Sequence, residues 1–434
     1  MSKQDQIKAI RGMNDVLPAD SAIWLYVERT CAKVLSLYGY RQIRTPILES
    51  TQLFSRSIGE ETDVVAKEMY TFEDRNGDSL SLRPEGTASC VRAGIENGLF
   101  YNQQQRLWYI GEMFRHERPQ KGRYRQFNQI GAECYGWSTP DIEAELLSVI
   151  DQTFKELGLE KTHLQINSLG DVDTRKRYRV ALVEYLTQYK NQLDEDSIRR
   201  LGSNPLRILD SKNKEVQLLL ESAPNILDFL SESSLASFEL LKGYLDELGI
   251  AYQVNPRLVR GLDYYNDTVF EWVNEDFGAQ STVCGGGRYD AMVEQLGGVS
   301  TPGFGFAMGL ERLIQILSEQ SAATLDAVNN DQHADVFIIS VGDKARSQAL
   351  LIQQKLVANN LQIHLYCGTG SMKNQFKRAD KSNASIALII GEDEAESKTV
   401  GIKLLIKQGM QDSTQKTIPQ NDALNTVTNL LESL

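Results

Sequence analysis

A dense group of basic residues lies in the segment GEMFRHERPQKGRYRQF, residues 111–127. Alternating side chains on both sides of it predict two strands, so these residues fall in the long turn of a β-hairpin. Arg115 precedes this turn, and the turn itself holds Arg118, Lys121 and Arg123. Such a group of cations predicts contact with an anion, and a solvated hairpin tip is the alternative.

Polar side chains share one face of the strand that follows this turn. Because side chains alternate between the two faces of a strand, one face holds Gln129, Gly131, Glu133 and Tyr135. On the preceding strand the same alternation groups Tyr109, Gly111, Met113 and Arg115. We expect an arginine, a glutamine and a glutamate to converge on this sheet surface, where a ligand or solvent contacts them.

A second arginine lies where a strand passes into a helix. The segment GFGFAMGLERLIQIL, residues 303–317, begins as a glycine-rich strand, and Arg312 falls in the first helical turns among apolar residues. Because a guanidinium group is costly to bury without a partner, Arg312 requires a carboxylate or a phosphate. An internal salt bridge to a glutamate and a phosphate ligand both remain open.

Two further strand patterns carry candidate site residues. LVRGLDYYNDTVFEW, residues 258–272, predicts a strand in which Arg260 and Tyr264 alternate against Tyr265, with an irregular, bulged end at a site. STVCGGGRYD, residues 281–290, contains three consecutive glycines but neither a P-loop nor a dinucleotide-binding fingerprint. These glycines predict close backbone packing or ligand approach.

The segment LRPEGTASCVRAG, residues 82–94, predicts an extended stretch through Pro84 that passes into a helix. Thr87 suits the cap of that helix. Glu85 has a favourable position beside the helix N-terminus for dipole reasons, but it is also a candidate ligand-binding carboxylate.

The remaining patterns define the elements that position these residues. Helical spacing predicts a helix over residues 20–38, and YGYRQIRTPILES predicts an edge or interface strand through Pro46. The turn signal RNGD predicts a hairpin within residues 62–82. Charged helical patterns over residues 172–250 predict an inserted helical domain.

After a polar linker, alternating strand and helix patterns predict a small C-terminal α/β domain with a mainly parallel sheet. Its second helix brings together four basic residues, Lys373, Lys377, Arg378 and Lys381. A solvated helix face and a contact with an RNA backbone are both compatible with this cluster.

The composition is that of an ordinary globular protein. The chain has 434 residues, of which 41% are hydrophobic and 24% charged, which predicts two or three domains. Because no apolar run reaches membrane-spanning length and the N-terminus lacks a signal peptide, we expect a cytoplasmic protein with no membrane partner. The formal net charge of -12 restricts any contact with nucleic acid to local basic patches.

The cysteines and histidines give no sign of a metal site. The five cysteines lie singly, without CxxC spacing, at Cys31, Cys90, Cys134, Cys284 and Cys367. We therefore expect buried or partly buried free thiols and neither disulfides nor a structural zinc ion. The four histidines show no metal-ligand spacing and no hydrolase motif, so a protein-bound metal is not expected.

These segments together resemble the motifs of class II aminoacyl-tRNA synthetases. YGYRQIRTPILES resembles motif 1, with Pro46 in the dimer-interface strand; GEMFRHERPQKGRYRQF resembles motif 2, and GFGFAMGLERL resembles motif 3. LVRGLDYYNDTVFEW, GGGRYD and AIRGMNDVLP are similar to segments specific to the bacterial histidyl-tRNA synthetase family. The resemblance covers essentially the whole chain. The chain departs from the common pattern at Glu112, Asn128 and Gly285, where proline, histidine and alanine are frequent.

The resemblance implies an α+β fold. Residues 1–325 are expected to form a class II catalytic domain on an antiparallel sheet of about six or seven strands, with a helical insertion at about 172–250. A linker is expected at 326–333 and an α/β anticodon-binding domain at 334–434, in a homodimer. The implied reaction activates L-histidine with ATP to histidyl-adenylate and transfers histidine to the 3' end of tRNA(His). Mg²⁺ is expected to enter with ATP, and no tightly bound cofactor is expected.

The resemblance also implies the roles of individual residues. Arg115, Arg260 and Arg312 are the implied catalytic residues, at the α-phosphate, at the α-phosphate and substrate carboxylate, and at the γ-phosphate. The implied ATP-binding residues are Arg115, Arg123 and Arg312. The implied histidine-binding residues are Glu85, Gly86, Thr87, Gln129, Glu133, Arg260, Tyr264 and Tyr265, with Tyr289 bordering the pocket.

Two other functions remain open from the sequence. One is a catalytically silent paralogue that regulates the first enzyme of histidine biosynthesis, although such paralogues usually lack the C-terminal domain and the arginines that this chain retains. The other is a class II synthetase for a different amino acid, which Glu133 and the RGLDYY segment disfavour.

Overall fold

The computed structural model describes residues 7–60, 62–274, 276, 282–320, 334–405 and 414–433. They belong to two compact units, Met1–Leu325 and Asp326–Leu434. The linker expected at 326–333 lies outside the described residues. Both units combine helices with β-sheets, which confirms the predicted α+β organisation. Within the described ranges, no helix is long and apolar enough to cross a membrane.

The strands described in the first unit form one large sheet and one small one. In chain order they are β1 (Arg41–Gln42), β2 (Leu48–Ser50), β3 (Thr71–Glu73), β4 (Ser79–Leu82), β5 (Gln105–Phe114), β6 (Gln126–Tyr135), β7 (Thr162–Ser168), β8 (Tyr252–Val254), β9 (Asn266–Asn274), β10 (Thr282–Arg288) and β11 (Gly303–Gly309). The large sheet has eight strands in the order β1-β5-β6-β11-β10-β9-β7-β8, and the small sheet has the order β2-β4-β3.

The antiparallel character of the large sheet is confirmed, although the sheet is larger than expected. Its six central strands, from β5 to β7 in the sheet order, pair antiparallel. The short outer strands β1 and β8 pair in parallel with β5 and β7. The sheet therefore has an antiparallel centre with one parallel strand at each edge.

The hairpin predicted around the basic turn is confirmed as β5 and β6. Tyr109 lies opposite Gly131, Gly111 opposite Gln129, and Leu107 opposite Glu133. Strand β6 also pairs with β11, where Gly305 lies opposite Glu133. Glu133 therefore lies on a strand in the middle of the sheet, with a paired strand on each side.

The described part of the first unit contains ten α-helices, four of which lie within residues 172–250. They are α1 (Pro18–Leu37), α2 (Thr51–Ile58), α3 (Thr87–Glu96), α4 (Asp141–Leu157), α5 (Val172–Gln188), α6 (Glu195–Ser203), α7 (Lys214–Leu220), α8 (Glu232–Leu248), α9 (Met292–Gln295) and α10 (Leu310–Gln320). Apolar side chains of the insertion, such as Leu182 and Ile208, share one hydrophobic core with Tyr264, Tyr265 and Tyr289. The insertion therefore supports the aromatic residues of the candidate site.

Two predicted strands differ from the structure, and a predicted hairpin is confirmed with one change before it. The strand through Pro46 is wrong: β1 and β2 belong to different sheets, and the proline, which lacks a backbone N–H, lies between them. The hairpin around RNGD is confirmed as β3 and β4, but Val64–Glu68 form a π-helical turn before it. The strand expected from residue 258 begins only at Asn266, so Arg260, Tyr264 and Tyr265 lie in a preceding loop.

The second unit contains a five-stranded sheet. Its strands are β12 (Val336–Ser340), β13 (Ile363–Leu365), β14 (Ile386–Ile390), β15 (Thr399–Leu404) and β16 (Lys416–Pro419), in the order β13-β12-β14-β15-β16. Its helices are α11 (Asp343–Val357), α12 (Met372–Lys381), α13 (Glu392–Ser397) and α14 (Ala423–Glu432). Only β13, β12 and β14 pair in parallel, whereas β15 and β16 are antiparallel. The prediction of a mainly parallel sheet is therefore correct for one half of the sheet.

Helix α12 presents the basic cluster to solvent. The four residues Lys373, Lys377, Arg378 and Lys381 are exposed. The opposite side of the helix is fixed by Gln375, which accepts a hydrogen bond from Ser340 N at 3.0 Å and donates one to Ser340 O at 2.8 Å. Buried amide contacts of this kind hold the helix in a defined rotation, so the basic residues stay on the outer face.

The cysteines are free thiols, as expected, but one of them is not buried. Cys31, Cys90, Cys134 and Cys284 are buried, whereas Cys367 is exposed. Among the described residues, no group of three or more histidine, cysteine, aspartate or glutamate side chains is arranged to hold a metal ion.

Candidate active site

A cavity of about 660 Å³ lies in the first unit, over the central strands of the large sheet. Its walls come from the basic turn, from the loop before β9, from β10 and from the start of α10. Four arginines that are far apart in the sequence, Arg115, Arg123, Arg260 and Arg312, all line it. The resemblance placed Arg115, Arg260 and Arg312 around one triphosphate, and in the fold all three line the same cavity.

Arg115 and Arg123 both lie in the connection between β5 and β6, and their environments differ. Arg115 Nε donates a hydrogen bond to Pro84 O at 2.9 Å, and its guanidinium lies 5.4 Å from the centre of the Phe127 ring. Arg123 forms an ion pair with Glu117 in the same turn. Among the described residues Arg115 forms no ion pair, so its charge is available to a ligand.

Arg312 extends from the first turn of α10 and lacks the glutamate partner that was one alternative. Its Nη1 donates to the carbonyl oxygen of Thr282 on β10. No ion pair to Arg312 is present in the described part of the chain. Burial lowers the pKa of Arg312, and the nearby Arg123 guanidinium lowers it further. An anion in the cavity would relieve both effects, which favours the phosphate alternative.

Arg260 lies in the loop before β9, against the backbone of β10. A side chain at Gly285 would place a Cβ 2.5 Å from Arg260 Nη1, so the guanidinium packs directly on this glycine. Arg260 forms an ion pair with Glu271, whose other carboxylate oxygen accepts a hydrogen bond from Thr282 Oγ1 at 2.7 Å. The expected alternation of residues 260–265 on a strand is wrong because these residues turn to bring Arg260 over the sheet.

Glu133 is completely buried beside the cavity and is surrounded by hydroxyl groups. Its Oε1 accepts hydrogen bonds from Thr87 Oγ1 at 2.8 Å and from Tyr109 OH at 3.1 Å. Its Oε2 accepts from Tyr289 OH. Burial raises the pKa of Glu133 to about 8, which the hydrogen bonds from Tyr289 and Thr87 partly oppose. A ligand that donates a hydrogen bond to this carboxylate would favour its ionised form.

Three tyrosine rings surround this carboxylate on the side of the loop before β9. The ring centres of Tyr264 and Tyr265 are 4.5 Å apart, and that of Tyr264 is 5.6 Å from Tyr289. The Tyr264 hydroxyl donates to the Tyr265 hydroxyl at 3.4 Å. The Arg260 guanidinium lies 5.9 Å from the centre of the Tyr265 ring, so this cluster adjoins the arginine-lined cavity.

Glu85, and not Thr87, caps helix α3. Its carboxylate accepts hydrogen bonds from Thr87 N at 2.7 Å and from Ala88 N at 2.8 Å. The Thr87 side chain is directed to Glu133 instead, so the predicted threonine cap is wrong. Burial raises the pKa of Glu85, whereas these backbone hydrogen bonds and Arg115 lower it. Glu85 therefore has a structural role in the helix and also lies close to a cavity arginine.

Gln129 connects the cavity to the buried cluster. It lies on β6, four residues before Glu133, and lines the cavity. Its Oε1 atom is buried and has no hydrogen-bond partner among the described residues. Because a buried amide oxygen without a partner is unfavourable, this atom is suited to accept a hydrogen bond from a ligand. Glu85, Gly86, Thr87, Glu133, Tyr264 and Tyr265 lie outside the cavity lining, in the cluster beside it.

Several residues of the site were not recognised from sequence patterns. Glu271 and Thr282, which contact two of the cavity arginines, lie in segments that were singled out, but neither residue was given a role. Tyr109 was placed on the correct face of β5 but without a role. Tyr109 could have been identified from its position opposite Gly131 on the neighbouring strand, because this glycine leaves room for the tyrosine ring.

Two of the departures from the motif pattern lie at contacts with neighbouring elements, Asn128 partly through its side chain and Glu112 through its backbone carbonyl, which does not depend on the residue type. Asn128 donates hydrogen bonds from its backbone N at 2.7 Å and from Nδ2 at 3.2 Å to Glu311 on α10. The carbonyl oxygen of Glu112 accepts from Arg83 Nε at 2.8 Å. Both residues therefore connect the hairpin to neighbouring elements.

The antiparallel sheet, the arginine-lined cavity and the second α/β unit together define a class II aminoacyl-tRNA synthetase. A family model described as histidyl-tRNA synthetase matches residues 12–313, and one described as an anticodon binding domain matches residues 335–430. The chain belongs to the histidyl-tRNA synthetase family.

Individual relatives agree with this assignment. The histidine–tRNA ligase of Hydrogenovibrio crunogenus (strain DSM 25203 / XCL-2) is 54% identical over 414 residues, 95% of this chain and 96% of that protein. The histidine–tRNA ligase of Marinomonas sp. (strain MWYL1) is 55% identical over 403 residues, 92% of this chain and 94% of that protein. The crystal structure of apo histidyl-tRNA synthetase from S. aureus matches with a TM-score of 0.79 at 37% identity, covering 97% of this chain and 100% of that one.

Proposed function

We propose that this protein is a histidine–tRNA ligase, which activates L-histidine with ATP and transfers it to the 3' end of tRNA(His). The observation that carries this conclusion is a cavity lined by Arg115, Arg123, Arg260 and Arg312, with a buried glutamate and its tyrosines in the cluster beside it. In the first step a carboxylate oxygen of histidine attacks the α-phosphorus of ATP, and pyrophosphate leaves. In the second step the 3'-terminal hydroxyl of the tRNA attacks the adenylate carbonyl, and AMP leaves.

The arginines serve the first step by balancing negative charge. Arg115 binds the α-phosphate and Arg312 binds the γ-phosphate. Neither guanidinium group forms an ion pair with a carboxylate among the described residues. Arg260 approaches the α-phosphate and the substrate carboxylate, while Arg123 contributes to ATP binding. Because these groups are held by the fold before ATP arrives, they stabilise the transition state without further reorganisation.

The buried cluster serves to select histidine. Neutral imidazole has one N–H donor and one nitrogen acceptor, which a carboxylate and a hydroxyl can satisfy together. Glu133 supplies the carboxylate, and Tyr264, with Tyr265 beside it, supplies the hydroxyl. Glu85, Gly86, Thr87 and Gln129 contact the amino and carboxylate ends of the substrate. An apolar competitor would leave these buried polar groups unpaired and would be rejected.

We propose that Mg²⁺ enters with ATP and that the protein holds no tightly bound cofactor. Among the carboxylates that line the cavity, Glu117 and Glu271 pair with arginines, whereas Glu311 accepts hydrogen bonds from Asn128. Mg²⁺ prefers oxygen ligands and retains several waters, so the triphosphate oxygens supply most of its coordination.

The second unit is proposed to bind the anticodon arm of the tRNA through the exposed basic face of α12. For a chain with a formal net charge of -12, this local patch provides the attraction to RNA phosphates. We further propose that the protein acts as a homodimer in the cytoplasm, where translation takes place. Exposed apolar side chains of the small sheet, including Leu48 and Phe72, support a protein contact on that face.

An aminoacylation assay tests this function. Purified protein is incubated with ATP, Mg²⁺, labelled histidine and tRNA(His), and labelled tRNA is measured. We expect histidine to be attached only when ATP is present, and not to a tRNA for another amino acid. Attachment of a different amino acid would indicate another class II synthetase, and no attachment by folded protein would favour the regulatory paralogue.

A further inference from the structure

Tyr109 contacts the carboxylate to which we assign ring recognition, although it lies outside the motifs discussed above. It is on β5 and only 3% exposed, and its hydroxyl donates to Glu133 Oε1 at 3.1 Å. A buried tyrosine hydroxyl needs one hydrogen-bond partner, and here that partner is the buried Glu133 carboxylate in the cluster beside the cavity.

Glycines on three elements create the space for this contact. A Cβ atom at Gly86 would lie 2.8 Å from the Tyr109 hydroxyl oxygen and would overlap the ring itself, and one at Gly131 would overlap the hydroxyl. On the other side of the carboxylate, a Cβ at Gly305 would lie 2.7 Å from Glu133 Cδ. The ring and the carboxylate therefore fit together only because side chains are missing at these positions.

The number of donors around Glu133 limits where a ligand can bind. An ionised carboxylate has about four acceptor positions, two on each oxygen. Thr87 and Tyr109 use both positions on Oε1, and Tyr289 uses one on Oε2. One acceptor position, on Oε2, remains for a substrate.

We propose that Tyr109 is a positioning residue for histidine selection, because together with Thr87 it saturates Oε1 and leaves a single acceptor position on Oε2 for the ring N–H of the substrate. This inference rests on the proposed function. Without the Tyr109 hydroxyl, the carboxylate can rotate and accept the ligand in more than one orientation. Histidine then binds more weakly, whereas ATP, which the arginines bind, is unaffected.

The test is the Tyr109→Phe variant, which removes only the hydroxyl. Its control is Tyr135→Phe, because Tyr135 is fully buried in the same core and, unlike Tyr109, its hydroxyl donates no hydrogen bond to Glu133 among the described contacts. ATP–pyrophosphate exchange is measured at varied histidine and at varied ATP, with thermal unfolding to verify folding.

We expect Tyr109→Phe to raise the KM for histidine about 10- to 100-fold, as loss of a hydrogen bond to a charged group predicts, with the KM for ATP changed less than about twofold. Tyr135→Phe should leave both constants unchanged. A normal KM for histidine in Tyr109→Phe, or an equal rise in both KM values, would overturn the proposal.

A second variant covers the case in which Tyr109→Phe does not fold. Thr87→Val removes the other donor to Oε1 at nearly constant volume, so it should raise the KM for histidine selectively as well, and a normal value would overturn the proposal. If the proposed function itself is wrong, the wild-type protein will show no ATP–pyrophosphate exchange with histidine. That result is distinct from the results expected of the variants.

Discussion

In the folded protein the Glu133 carboxyl group keeps its proton up to a higher pH than a carboxyl group in water does. Burial raises its pKa to about 8, from an ordinary value of 4.5. Between these values the folded chain retains a proton that the unfolded chain releases, so stability is greatest below the lower value and falls as pH rises towards the higher one. The same carboxyl group is proposed to recognise imidazole, so selection and stability are linked at one residue.

Replacing Glu133 by glutamine should remove this pH dependence. Between pH values of about 4.5 and 8, the retained proton changes the free energy of unfolding by up to about 1.4 kcal/mol for each pH unit. We expect the free energy of unfolding of wild-type protein to fall more steeply across this window than that of Glu133→Gln. Denaturant unfolding at several pH values measures both slopes, and their difference is the part that depends on Glu133, including its electrostatic coupling to Glu85. Parallel curves would contradict the assigned protonation of Glu133.

Arg260 should be essential for activation and dispensable for folding. Its ion pair with Glu271 lies at the cavity surface, so Arg260→Ala should fold but should form adenylate at least roughly 100-fold more slowly in single-turnover experiments. Arg199→Ala is the control, because Arg199 lies on helix α6 of the insertion with a side chain 57% exposed. Near-normal adenylate formation by Arg260→Ala would refute the role proposed for this arginine.

At the scale of elements, the sequence predicted those strands and turns that are specified by local periodicity. The hairpin β5–β6 was predicted because alternation and turn residues specify it without distant contacts. The loop that carries Arg260 was mistaken for a strand because its side chains also alternate, although contacts with β10 decide its course. The convergence of Arg115, Arg260 and Arg312 has no local signature, so only the resemblance of motifs placed them in one site.

Glycine residues in β10 allow the central strands of the large sheet to pack closely. A Cβ at Gly286 would lie 2.7 Å from Phe306 Cα and would overlap the carbonyl oxygen of Gly305. We expect Gly286→Ala to lower the free energy of unfolding by about 1–3 kcal/mol or more, as overpacking does. Gly243→Ala is the matched change in helix α8, where nothing lies within 4 Å of the new atom. It should instead stabilise by up to about 1 kcal/mol. Equal effects of both changes in chemical unfolding would contradict this packing.

At the scale of the whole molecule, the two units are expected to have separable roles. Reversing charges with Lys377→Glu and Arg378→Glu should weaken aminoacylation but leave amino-acid activation intact, because the cavity proposed for activation is lined by residues of the first unit. Lys344→Glu with Lys355→Glu is the charge-matched control, since both lysines are exposed on helix α11 of the same unit. Equal loss of charging in both double variants would mean that net charge, and not the α12 face, is responsible.

The most direct test of the whole account is ATP–pyrophosphate exchange by wild-type protein, with Mg²⁺ and without tRNA, against each of the twenty amino acids. This measurement examines the arginine-lined cavity and the Glu133 cluster together, because exchange requires both phosphate chemistry and a bound amino acid. We predict exchange with histidine alone. Exchange with another amino acid would contradict the assignment of Glu133 and Tyr264, and absence of exchange from folded protein would contradict the proposed chemistry itself.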